Sequence, residues 1–126
     1  GVQTCALPIS EQIIGCAYKV YNTMGFGYLE SVYAKCMAIE MDKIGLKYEM
    51  EKAITVYYEN QIVGEYFVDK LVMGEVIVEY KSIRTLAKSH EVQLVNYLTS
   101  TKKDVGLLIN FGEKKVEIKR KVRILD

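Results

Sequence analysis

The chain has few of the residues that build disulfide frameworks, zinc centres or membrane spans. It contains one histidine and three cysteines, Cys5, Cys16 and Cys36, with no CxxC spacing among them. An odd, unpaired cysteine set excludes a disulfide framework and a Cys/His zinc cage, and it indicates a reducing cytoplasm. No apolar run approaches the roughly 20 residues that a membrane-spanning helix needs, so no membrane partner is expected.

The bulk composition is that of one globular domain. Half of the 126 residues are apolar and 26% are charged, which argues against disorder and against fibrous repeats. Residues 1–9 show neither a period nor the pattern of a signal peptide, and they are treated as a poorly specified leader. A single domain is therefore predicted over residues 10–126.

Apolar periodicity predicts two helices in the first part of the chain. Apolar residues recur at helical spacing over 13–24, with Ser10 placed to cap the helix and Gly25 to stop it. A second helical stripe covers 29–40 and ends near Gly45.

Strands then dominate. Segments 53–58, 62–72 and 76–78 are rich in β-branched and aromatic residues and predict a meander. A third helix, capped by Ser89, precedes a strand at 105–111, and an alternating strand follows Gly112. A strand, a crossover helix and a second strand imply a parallel pair, so the fold class is α/β with a mixed sheet.

Glu79 and Lys81 are the first candidates for chemistry. They lie two positions apart on the third strand and point to one face of it, while Tyr80 points to the other. A half-buried acid beside the apolar run 76–78 needs a partner, and a divalent cation is one common partner. The plainer alternative is a surface ion pair, with Asp69 merely ending a strand.

Asp69 lies across a turn from Glu79, and the turn length decides whether the two acids face each other. A three-residue loop pairs Val72 with Val76 and puts Asp69 opposite Glu79. A two-residue loop puts Asp69 opposite Tyr80, on the other face. In the first register, β-carbons about 5 Å apart let two carboxylates hold one Mg²⁺, leaving sites for water and a phosphate oxygen.

Three more residues are candidates for supporting roles. Gln93 and Tyr97 lie at i and i+4 on the third helix and can both reach toward Glu79. A polar cap on an apolar helix face explains this pair equally well. Glu30 opens the second helix, where a carboxylate also suits the positive end of the helix dipole.

These residues together resemble the small bacterial GxxExxY proteins, which are assigned to the PD-(D/E)XK nuclease superfamily. The naming motif is Gly27-Tyr28-Leu29-Glu30-Ser31-Val32-Tyr33. The resemblance runs from about Ile13 to the C-terminus and includes the Asp69 strand, Val78-Glu79-Tyr80-Lys81 and the segments 90–98 and 105–112. One departure is Val68, which stands where the superfamily name suggests a proline.

The resemblance implies a restriction-endonuclease-like fold, with a mixed central sheet flanked by helices. It also implies a site with these roles: Glu30, Asp69 and Glu79 as ligands of Mg²⁺, or of Mn²⁺ in its place; Asp69, Glu79, Lys81 and Gln93 as catalytic residues; and Glu30 and Tyr97 as supporting residues. In such a site Lys81 would orient or help to deprotonate a metal-bound water.

Two functions follow from these residues. The first is a metal-dependent phosphodiesterase that acts on nucleic acid, DNA rather than RNA, with Arg84 and Lys88 gripping phosphates. The second is a catalytically silent module on the same fold that binds nucleic acid or a protein. A domain of this size is expected to work as a homodimer or beside a partner protein. His90 is read as a helix-end hydrogen-bond partner rather than a general base.

Overall fold

The computed structural model describes the backbone of residues 6–123 and the side chains of residues 8–123. Its elements, in chain order, are α1 (Ala6–Met24), α2 (Glu30–Lys43), β1 (Tyr48–Tyr58), β2 (Gln61–Val72), β3 (Val76–Lys81), α3 (Lys88–Thr101), β4 (Val105–Phe111) and β5 (Val116–Val122). Within this part of the chain, no helix combines the length and the apolar character that crossing a bilayer requires.

The five strands form one mixed sheet in the order β1-β2-β3-β4-β5. β3 and β4 are parallel, and the other neighbouring pairs are antiparallel. The parallel pair requires a crossover, which α3 supplies. The predicted α/β class with a helix-flanked mixed sheet is confirmed.

The helices cover both faces of the sheet and enclose two apolar layers. α1 and α2 pack on the face that carries Val76, Val78 and Tyr80. α3 packs on the opposite face, partly through Leu94. A Cβ atom at Gly106 would lie only 2.8 Å from Cδ1 of Leu94, so the missing side chain lets α3 lie close to β4. This contact sets the distance between α3 and the sheet. α3 carries two of the predicted site residues.

The predicted start of α1 is wrong. The helix begins at Ala6, and Ser10 lies inside it with no exposed surface. Pro8 falls in the first turn, where its missing N–H breaks no helical hydrogen bond, so the segment before Ser10 can be helical. Of the predicted leader, residues 1–5 lie outside the described residues.

The predicted cap of α3 is also wrong. The helix begins at Lys88, one residue before Ser89, and Ala87 precedes it. The Ala87 N–H donates to Nδ1 of His90 at 3.1 Å. His90 therefore makes the predicted helix-end hydrogen bond, and it closes the helix terminus in place of a serine.

Candidate active site

The β2–β3 hairpin has the register that brings the two predicted acids together. Val72 pairs with Val76, so the loop between the two strands has three residues. Regular pairing continues for two more positions. The next position in this register places Asp69 opposite Glu79. The predicted register is confirmed.

The carboxylates of these two residues take over the hydrogen bonding where the β2–β3 pairing ends. The Asp69 N–H donates to Oε1 of Glu79 at 3.2 Å. The Tyr80 N–H donates to Oδ2 of Asp69 at 2.7 Å. Both carboxylates therefore lie between the two strands, in contact with each other's strand, at the point where the sheet opens.

The pairing on the other side of β2 is interrupted at the same level. The β1–β2 ladder skips Glu51 and Asp69, although the pairs on either side of them form. Glu51 has a φ of 50°, which is strained for a residue other than glycine. Asp69 is thus left out of both neighbouring ladders.

Burial raises the pKa values of both acids. Loss of water contact, together with the nearby Asp69 charge, raises the pKa of Glu79 from its ordinary 4.5 to about 8. Burial also raises the pKa of Asp69, although the hydrogen bond from the Tyr80 N–H opposes this. The ammonium group of Lys81 lowers the pKa of both acids, and the carboxylate of Glu30 raises that of Glu79. Two desolvated carboxylates whose charges raise each other's cost of ionisation form a site that favours a cation.

Tyr97 of α3 lies near the same acids. It is buried, and burial raises its pKa, with smaller contributions from Glu79, Tyr66 and Asp69. Its ring lies 5.6 Å from that of Tyr66 on β2. Gln93, one turn earlier on α3, is exposed and lines the same groove as both tyrosines. The structure thus places Gln93 and Tyr97 along one groove, and of the two it is Tyr97 that lies near enough to Glu79 for that charge to raise its pKa.

The two basic residues predicted to grip phosphates already have acidic partners. The Arg84 Nε lies 3.2 Å from Oε2 of Glu113, in the turn between β4 and β5. The Lys88 Nζ lies 4.0 Å from Oε1 of Glu91, within the first turn of α3. Both side chains are more than 80% exposed, so each remains accessible to a ligand.

The segment that carries Glu30 is fixed by a buried tyrosine. Gly25 and Gly27 have φ values of 68° and 116°, which only glycine adopts readily, and they form the joint between α1 and α2. The Tyr33 hydroxyl donates to the Gly25 carbonyl, and its ring stacks on Phe111 with centroids 4.2 Å apart. Tyr33 therefore anchors the first turn of α2, from which Glu30 projects.

The loop after β3 is held by a buried amide that sequence reasoning did not single out. Asn110 accepts from the Ile83 N–H at 3.0 Å and donates to the Ile83 carbonyl and to Glu117, both at 2.9 Å. On the other side, the Ser82 hydroxyl donates to the Tyr28 carbonyl at 2.5 Å. The signal in the sequence was a lone polar residue within the otherwise apolar strand 105–111.

Removing this amide should destabilise the protein. We expect Asn110→Leu to lower the free energy of unfolding by about 2 kcal/mol, because the polar backbone groups of Ile83 lose their partners. Urea denaturation measures the effect. Asn22→Leu, at an exposed position of α1, is the matched control and should change stability by less than about 0.5 kcal/mol. Equal losses in the two variants would refute the role of the clamp.

A second residue that the sequence did not reveal is Lys70. Its side chain is fully buried, and its Nζ donates to the Ala34 carbonyl at 2.7 Å and to the Tyr80 hydroxyl at 3.1 Å. Burial lowers the pKa of Lys70 from 10.5 to about 8. The lysine ties α2 to the sheet on the face opposite Glu79.

Glu79 and Lys70 together predict a stability minimum near pH 8 in the metal-free protein. Between pH 4.5 and about 8 the folded state holds the extra proton, on Glu79, so stability falls as pH rises. Between about pH 8 and 10.5 the unfolded state holds the extra proton, on Lys70, so stability rises with pH. Over the measured intervals, pH 6 to 8 and pH 8 to 9.5, the change on each limb should be on the order of 2 kcal/mol.

Urea denaturation in EDTA at pH 6, 8 and 9.5 measures this profile. Lys70→Met should remove the rise above pH 8 and leave the fall below it. Lys35→Met, at an exposed position of α2, should keep both limbs. A stability that does not change over this range would contradict the assigned burial of the two groups.

The predicted set of three metal-binding carboxylates is not assembled as a group. Among the described residues, no three His, Cys, Asp or Glu side chains are placed to hold a metal ion together. Glu30 therefore does not complete a cage with Asp69 and Glu79. The two acids still fit Mg²⁺, which commonly takes one or two carboxylates and fills its other positions with water and substrate phosphate.

Known proteins support the fold and the family. A solved chain titled "Crystal structure of SSO0001" superimposes with a TM-score of 0.56 at 14% identity, over 75% of this chain and 50% of that one. At that identity the likeness shows the fold alone, and this chain spans half the length of the solved one. No curated protein matches the sequence. Residues 8–121, however, match the sequence profile of the PD-(D/E)XK nuclease superfamily. The chain belongs to that superfamily.

Proposed function

We propose that this protein is a Mg²⁺-dependent nuclease that hydrolyses phosphodiester bonds in DNA in preference to RNA. The observation that carries the proposal is the contact between Asp69 and Glu79 where β2 and β3 separate, with Lys81 two positions further on the same face. Superfamily membership supports nuclease activity in general. The preference for DNA, the ion and the residue roles are part of the proposal.

The proposed chemistry assigns one task to each side chain. Asp69 and Glu79 would hold the ion, and Glu30 would support the site from the first turn of α2 without binding the ion. When bound, Mg²⁺ lowers the pKa of a coordinated water and offsets the charge that develops on the phosphate. Lys81 would donate a hydrogen bond that orients the attacking water or a phosphate oxygen. Gln93 and Tyr97 would position the substrate from α3.

The subfamily, the cellular compartment and the partners of the protein are also part of the proposal. The motif of residues 27–33 supports placing the chain among the bacterial GxxExxY proteins. Cys16 and Cys36 are free thiols, which suits the cytoplasm of a bacterium. Arg84 and Lys88 would exchange their acidic partners for substrate phosphates, and a second copy or a partner protein would extend the contact surface.

A cleavage assay tests the proposal. The protein is incubated with supercoiled plasmid, linear duplex DNA, single-stranded DNA and RNA, each with Mg²⁺, with Mn²⁺ and with EDTA. We expect DNA cleavage that requires either ion, and slower cleavage of RNA. Binding to these substrates without any ion-dependent product would favour the catalytically silent module instead.

A further inference from the structure

A groove of about 500 Å³ lies between α3 and the outer part of the β1–β2 hairpin. Tyr97, which borders it, is near enough to Glu79 and Asp69 to feel their charges. Tyr66 borders it on the hairpin side, and Gln93, Asn96 and Tyr97 border it on the helix side. No charged side chain lines it within the described part of the chain. Its volume falls within the roughly 300–1,000 Å³ that is typical of small-molecule sites. It continues the site, since Tyr97 contributes to both.

The groove offers an exposed aromatic ring and free amides. Tyr66 is 45% exposed, and the buried ring of Tyr97 supports it at 5.6 Å and a 45° tilt. Gln93 and Asn96 are exposed, and neither side-chain amide has a hydrogen-bond partner among the described residues. An aromatic face with adjacent amide donors and acceptors is the chemistry that recognises a nucleobase.

The charges around the groove separate a site for a base from sites for phosphate. A second cavity, of about 230 Å³, adjoins the groove at Ser100, and Lys52 and Lys103 line it. A base in the uncharged groove would thus have basic side chains near Ser100, and the Asp69–Glu79 pair near Tyr97. In a duplex the faces of each base are stacked and its edge is paired, so only an unpaired base can use such a groove.

We propose that this groove binds an unpaired nucleobase of the substrate, so that the protein acts on single-stranded segments or frayed ends rather than within an intact duplex. This inference rests on the proposed nuclease function and specifies its substrate. Tyr66 stacks on the base, and Gln93 and Asn96 contact its edge. The phosphate on one side of that base reaches the acidic pair.

Fluorescence anisotropy in EDTA, with a labelled single strand and the matching blunt duplex, tests the groove without cleavage. Wild type should bind the single strand more tightly. Tyr66→Leu should weaken that binding roughly tenfold, the scale of one lost stacking contact, whereas Tyr66→Phe should keep it. Tyr57→Leu is the matched control, because Tyr57 is 62% exposed on the same hairpin but lies outside the groove.

Two further measurements distinguish a loss of base binding from misfolding of the Tyr66→Leu variant. Asn96→Asp, at an exposed helix position, introduces a negative charge into the groove and should also weaken single-strand binding. A single abasic position in the strand should weaken binding by wild type but add no further loss for Tyr66→Leu. Equal affinity of wild type for duplex and single strand, with Tyr66→Leu behaving like Tyr57→Leu, would overturn the inference.

Different results would refute the nuclease function and the nucleobase groove. If no DNA is cut while single-strand binding still depends on Tyr66, the groove stands and the nuclease function falls. If intact duplex is cut and Tyr66→Leu changes neither binding nor cleavage, the nuclease function stands and the groove falls.

Discussion

Replacing Glu79 with glutamine is expected to abolish ion-dependent DNA cleavage and, at the same time, to stabilise the metal-free protein. The amide cannot supply the negative charge that holds the ion, so the cleavage rate should fall by at least about 10³-fold. The same change removes a buried carboxyl whose pKa is raised to about 8. Stability at pH 8 should therefore increase by on the order of 1 to 2 kcal/mol.

This opposite effect on activity and stability separates a catalytic role from a structural one. Asp69→Asn should lose cleavage in the same way. Lys81→Met should lose cleavage but keep ion binding, because Lys81 is not a ligand. Glu65→Gln, an exposed acid on β2, is the matched control and should cleave like wild type. Single-turnover cleavage and urea denaturation supply the two readouts. Wild-type cleavage by Glu79→Gln would contradict the assignment.

Truncating Tyr33 to alanine should cause the largest loss of stability. The change removes a fully buried ring that stacks on Phe111, and it leaves a cavity between α2 and β4, so we expect a loss of about 3 to 5 kcal/mol. Tyr33→Phe keeps the ring and removes only the hydrogen bond to the Gly25 carbonyl, a loss of about 1 kcal/mol.

Urea denaturation of both variants measures this difference. Comparable losses in Tyr33→Ala and Tyr33→Phe would show that the hydrogen bond, rather than the stacked ring, anchors α2. Retention of near wild-type stability by Tyr33→Ala would contradict the anchoring role altogether. The result bears on the site because the first turn of α2 carries Glu30.

Local rules predicted which residues share a strand face. The two-residue period of strands reduced the facing of Asp69 and Glu79 to one question, the length of the turn between them. The sequence left two lengths open, and the structure has the three-residue loop. The same period put Lys81 beside Glu79. The parallel pair of β3 and β4 followed from the crossover helix between them.

Residues whose partners are distant in sequence were missed. Lys70 can be buried because a carbonyl 36 residues earlier accepts a hydrogen bond from its ammonium group, and the apolar run around it gave no sign of that partner. Asn110 is buried because a loop 27 residues earlier folds against it. The strained backbone of Glu51, opposite Asp69, has no signature in side-chain patterning. Tertiary contacts decide all three positions.

Titration of Mn²⁺ at pH 7, with calorimetry in buffers of different ionisation enthalpy, tests the central claim most directly. Because burial raises the pKa of Glu79 to about 8, the metal-free site carries a proton at this pH. Wild type should bind one ion and release close to one proton, whereas Glu79→Gln and Asp69→Asn should lose the binding. Undiminished binding by both variants would show that these two carboxylates do not form the cation site.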